Sequence, residues 1–138
     1  MAKIRLPSER LANCCWLPRI ADKARSLLAG DLPFLYRAAF GSPIGVDGFF
    51  LRHFQIARGD FVRAVRASAD DDALADWFLA QPHVDAATIE SWNQLAPNLG
   101  RKGFPARGIF LFCGRILYPH TIRRPVGSMF EAIAQDEP

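Results

Sequence analysis

An all-α domain of about seven mostly short helices is the fold this sequence predicts, and three observations carry it. A strong helical stripe runs through CWLPRIADKARSLLAG near the start of the chain, capping residues recur at short intervals, and no segment offers a convincing pair of strands. At 138 residues the chain suits one domain, and a chain of this size buries roughly 68% of its unfolded surface. Half of the residues are apolar and eleven are Phe, so a substantial aromatic core is expected.

Residues 1–12 read as a flexible leader and residues 13–138 as the helical domain. In the first helix Leu17, Ile20, Ala21, Ala24, Leu27 and Leu28 recur at the spacing of one buried face. Pro18 stands at the start, where its missing N–H costs nothing, and Gly30 stands where a C-terminal cap belongs. Arg19, Asp22, Lys23 and Ser26 collect on the opposite face. Residues 31–45 carry Pro33, Gly41, Pro43 and Gly45, so an irregular connection is expected there.

Asp47 is positioned to cap a second helix bearing Phe50, Leu51 and Phe54. Asp60 opens a third with Phe61, Val62 and Val65 inward. Ser68 and Asp71 have the spacing of a capping box ahead of Leu74, Trp77 and Phe78. Pro82 closes that helix, and Asp85 caps another that presents Ile89 and Trp92. Residues 96–108 hold two Pro and three Gly and read as a connection. Ile109, Phe112, Cys113, Ile116 and Leu117 fit a helix stopped by Pro119, with a strand as the alternative. Ser128 and Glu131 start a closing helix.

At this point LPRIADKARSLLAGDL (residues 17–32), Tyr36, SPIGVDGFFLRHF (residues 42–54) and SMFEAIAQDE (residues 128–137) resemble the bacterial family catalogued as domain of unknown function 5069. The resemblance covers roughly residues 10–137. It implies a small, mainly helical intracellular protein and no particular activity, so it assigns no catalytic residue.

Composition excludes several classes. No apolar run approaches the ~20 residues that span a bilayer, and the start of the chain lacks an apolar signal core, so a cytoplasmic protein away from membranes is expected. Cys14, Cys15 and Cys113 are odd in number and two are adjacent, which implies free thiols. His53, His83 and His120 are scattered without metal-ligand spacing, and Asp70, Asp71 and Asp72 lack the pattern of a calcium loop. No dinucleotide, P-loop or nucleophile-elbow motif is present. No metal or cofactor is expected.

Charge is segregated. Residues 67–100 hold six acids and no Lys or Arg, while residues 101–130 hold six bases and no acid. The two spans are expected to offset each other within the domain.

Two residue sets could carry function. Arg19, Asp22 and Lys23 lie on one face of the first helix, and the plainer reading is an exposed, salt-bridged surface. The sharper one is a cleft between that face and residues 47–53, in which Arg19 or Arg52 holds an anion and His53 or Asp22 moves a proton. The second set is the basic tract 101–124 with Phe104, Phe110, Phe112 and Tyr118, a composition compatible with nucleic acid. Because Phe112 falls on the apolar stripe, nucleic-acid binding is disfavoured. The preferred function is a non-enzymatic interaction or small-ligand-binding module, with a small anion or a protein as partner and Arg19, Asp22, Lys23, Arg52 and His53 as ligand-binding residues. The alternatives are an enzyme acting on a small anionic metabolite and nucleic-acid association.

Overall fold

The computed structural model describes residues 3–40 and 45–99, and these are mostly helical. Among the described residues a two-stranded antiparallel hairpin, β1 (Arg10–Leu11) and β2 (Cys14–Cys15), precedes six α-helices. These are α1 (Leu17–Ala29), α2 (Phe34–Ala39), α3 (Val46–His53), α4 (Arg58–Ala67), α5 (Asp71–Leu79) and α6 (Ala86–Leu95), followed by a 3₁₀ turn at Ala96–Asn98. The expected count of about seven helices is not borne out. One of these six, α2, falls where an irregular connection was expected. The helices expected at residues 109–118 and after Ser128 lie outside the described residues.

Residues 3–7 make specific contacts with the helices. Ile4 is buried, and Arg5 is bound through side chain and backbone. The hairpin turns through Ala12 and Asn13, both at positive φ (53° and 59°), as a two-residue turn matched to strand twist requires. Asn93 on α6 then grips it: its side-chain oxygen accepts from the Cys15 N–H at 2.9 Å, and its nitrogen donates to the Asn13 carbonyl at 2.8 Å.

Helix α1 begins at Pro18 in its first turn and ends at Gly30, whose φ of 78° is the left-handed conformation that a residue without Cβ adopts freely. Ile20, Ala21 and Ala24 are fully buried, as the stripe predicts, whereas Leu27 is half-buried and Leu28 exposed. Ile20→Ala is therefore expected to cost about 2–5 kcal/mol, the range of buried aliphatic truncations, and Leu27→Ala less than half as much. Urea titration of the two variants checks that order.

Asp85 caps α6 as predicted: its carboxylate accepts from the Thr88 N–H at 2.8 Å, and the Thr88 hydroxyl accepts from the Asp85 N–H at 2.9 Å. At α5 the cap is Asp70, which accepts from the Ala73 N–H at 2.9 Å. The expected Ser68 cap is displaced because that hydroxyl donates back to the Ala64 carbonyl at the end of α4. Helix α3 starts from Gly45, so Asp47 falls inside it and is not its cap.

The core is aromatic. Phe50 of α3 lies 5.1 Å from Phe54, 5.9 Å from Phe78 and 5.4 Å from Trp92, ring centre to ring centre. Phe61 of α4 completes the cluster at 6.4 Å. Helix α1 packs on α4, and α6 packs on both α3 and β2. One side of α1 therefore faces this core, and its other side is left to polar residues.

Candidate functional site

The polar side of α1 is not a solvated surface. Arg19 is fully buried, Lys23 is 7% exposed, and both surround the indole of Trp16, the residue that precedes the helix. The Arg19 guanidinium carbon lies 5.5 Å and the Lys23 ammonium 4.9 Å from the Trp16 ring centre, and the same ammonium lies 5.8 Å from the ring of Tyr36 on α2. Cations over aromatic faces gain from the ring quadrupole, most where water is excluded.

Asp47 closes the cluster from α3. It is 2% exposed, accepts from the Trp16 indole N–H at 2.8 Å, and meets the Lys23 ammonium at 3.3 Å through both carboxylate oxygens. Trp16 itself sits at φ 72°, a left-handed conformation that a bulky side chain rarely adopts. Such strain persists only where the surroundings hold it. Here the Trp16 N–H donates to the Pro7 carbonyl at 3.1 Å and its indole is tied to Asp47.

The expected face of Arg19, Asp22 and Lys23 is thus divided. Arg19 and Lys23 turn inward, which corrects the reading of an exposed salt-bridged surface: a second layer, made of residues 3–7, Trp16 and α3, covers them. Asp22 turns the other way. Its carboxylate accepts from the Arg5 backbone N–H at 2.8 Å, from Arg5 Nε at 3.0 Å and from Arg5 Nη2 at 2.9 Å. Arg5 also reaches Asp71 on α5 at 2.7 Å, and Arg25 joins both carboxylates, at 3.6 Å from Asp22 and 2.8 Å from Asp71.

The Arg5 guanidinium holds the Asp71 carboxyl below its ordinary range, against the opposing effect of partial burial. A carboxylate lowered in the fold contributes stability above its unfolded pKa, and that contribution fades as pH falls through the folded value. Part of the acidic span is therefore neutralised by Arg5 and Arg25. The basic tract 101–124, expected to do this, lies outside the described residues.

The other two predicted site residues, Arg52 and His53, lie at the end of α3. Arg52 is exposed and lies over the Phe49 ring at 4.8 Å. His53 packs against Phe54 and Trp92, and its Nε2 donates to the Thr88 carbonyl at 2.9 Å, which fixes that nitrogen as the protonated one. The structure therefore joins Arg19 and Lys23 at Trp16, and gives Asp22 and His53 other partners, Arg5 and Thr88. The cleft expected from the sequence has residues 47–53 as its facing segment but gives Asp47 itself no role in it, and it does not include Trp16 or Tyr36. The one local signal for them was a carboxylate and two aromatic rings near a helix face carrying two cations.

The thiols of Cys14 and Cys15 are free and buried. Burial pushes Cys14 far above the ordinary thiol range and Cys15 up to about 11, so neither is a ready nucleophile. Among the described residues no group of three or more His, Cys, Asp or Glu is placed to hold a metal ion. No helix among them is long and apolar enough to cross a membrane.

Fold and site together define a mostly helical protein with cations and aromatic rings buried beside its first helix. The chain belongs to the family described as a domain of unknown function, DUF5069, whose profile matches residues 1–137. A search of curated proteins finds no match to it.

Proposed function

We propose that this protein is a non-enzymatic binding module and that the cluster of Trp16, Arg19, Lys23, Tyr36 and Asp47 receives a small carboxylate- or phosphate-bearing ligand. The observation that carries this reading is the burial of two cations around one strained indole ring. Desolvating a guanidinium and an ammonium is costly, and apolar side chains of similar volume would generally serve a core as well or better. Charge kept at such a position favours recognition over packing. The rings supply flat walls, the cations supply attraction for an anion, and Asp47 orients the Lys23 ammonium.

An enzyme acting on a small anionic metabolite would need an acid or base beside Arg19. His53 is engaged with Thr88 and Asp22 with Arg5, so the binding module is the better reading. The two free thiols suit a reducing, cytoplasmic setting.

Thermal melts in the presence of a panel of small mono-, di- and tricarboxylates, inorganic phosphate and phosphate monoesters test the proposal. A true ligand at a hundredfold excess over Kd is expected to raise Tm by about 5 °C or more, and Lys23→Met should abolish that shift. A panel without any shift, or a shift that Lys23→Met leaves intact, would contradict it.

A further inference from the structure

Residue 5 connects the surface ion network to the buried cluster. Its side chain binds Asp22 and Asp71, its N–H donates to Asp22, and its carbonyl accepts from Arg19 Nη1 at 3.2 Å. The segment around it is anchored by apolar burial at Ile4 and Pro7, while Lys3 and Leu6 are exposed. Residue 5 is thus one of the walls that bury Arg19, fastened by ionic contacts at its exposed edge and by the burial of Ile4 and Pro7 on either side.

We propose that residues 3–7 form a strap over Arg19, latched by the contacts of Arg5 with Asp22 and Asp71, which opens locally about Pro7 while the helices stay folded. Opening withdraws the Arg5 carbonyl from the Arg19 guanidinium and offers that donor to an incoming anion. Several features make this the part that yields. Arg5, Asp22 and Asp71 are each partly exposed, so salt and competing ions reach them. Pro7 is buried, has a fixed φ and has its carbonyl bonded to the Trp16 N–H, so it anchors the end of the strap and leaves the residues before it to move. The hairpin beyond it is held independently by Asn93.

The purpose assigned to the strap rests on the anion-site reading, but its movement can be measured without any ligand. Amide hydrogen exchange followed by NMR on the full chain is the experiment. The Arg5 N–H reports the strap, the Cys15 N–H the hairpin, and the Ile89 N–H, bonded to the Asp85 carbonyl, reports α6. Asp71→Asn loosens the α5 end of the latch and leaves the Asp22 acceptor of the Arg5 N–H in place. It is expected to speed Arg5 exchange about three- to tenfold while Cys15 and Ile89 keep their rates.

Raising sodium chloride from about 20 mM to about 500 mM on the unaltered chain should do the same, since ionic contacts at partly exposed sites are screened. With inorganic phosphate as the probe, apparent affinity should rise in Asp71→Asn by the factor seen in exchange, because a larger share of molecules is open. Unchanged Arg5 exchange in both experiments, or acceleration in step with Ile89, would overturn the strap. Accelerated Arg5 exchange with no phosphate response would uphold the strap and count against the anion site.

Discussion

Asp47→Ala is expected to cost about 3–5 kcal/mol of folding stability, the loss typical when one partner of a buried ion pair is removed. The substitution takes from the Lys23 ammonium the carboxylate it faces at 3.3 Å, and from the Trp16 indole N–H an acceptor at 2.8 Å. Both groups lie where water has little access, so the desolvation cost is felt in full. Asp47→Asn keeps an acceptor for the indole and should fall between the two. Urea unfolding with an unchanged slope is the measurement. A loss below about 1 kcal/mol for the alanine variant would mean that the cluster is solvated, in the manner of surface pairs.

Phe50→Ala should be comparably damaging, at about 3–5 kcal/mol, through a different cause. Its ring is fully buried and meets Phe54, Phe61, Phe78 and Trp92 within 6.4 Å. Four partners, Phe54 just past α3 and one ring each from α4, α5 and α6, cannot collapse onto one void without leaving their own rotamers. Phe50→Leu, which refills most of the volume, should recover much of the loss. A truncation costing less than about 1.5 kcal/mol, by the same urea titration, would contradict the placement of Phe50 at the centre of the core.

Local rules were legible where they acted alone. Gly30 ends α1 and Asp85 starts α6 because each needs only its nearest neighbours. Ile20 and Ala24 are buried because the helical period puts them on one face. The same period misplaced Arg19 and Lys23, since a helix with one apolar stripe can still be covered on its polar side by a second layer. Asp47 has the chemistry of a cap, yet it serves Trp16, 31 residues away in sequence, and no local rule weighs such a partner.

Asp22 lies on the face expected to be salt-bridged within α1, and it binds Arg5 from outside the helix as well as Arg25. The hairpin went unread because its turn uses Ala12 and Asn13 at positive φ with no glycine to announce it. Pro33 reads as a breaker in the sequence, whereas in the fold its fixed φ stands directly before α2 and suits a helix start. Of the candidate site, then, two cations were legible, and the rings and carboxylate that surround them were not.

If the charges beside Trp16 are kept for recognition and not for folding, apolar side chains should replace them without loss of the fold. The double variant Lys23→Met with Asp47→Leu tests it most directly, by measuring in one set of melts its stability and its response to the ligand that shifts the parent chain. Well-packed apolar replacements of a buried ion pair are often neutral or stabilising, so the account predicts a Tm within about 5 °C of the parent, or above it, and no ligand shift. A double variant that keeps the full ligand shift would contradict the account, because the anion would then be held elsewhere.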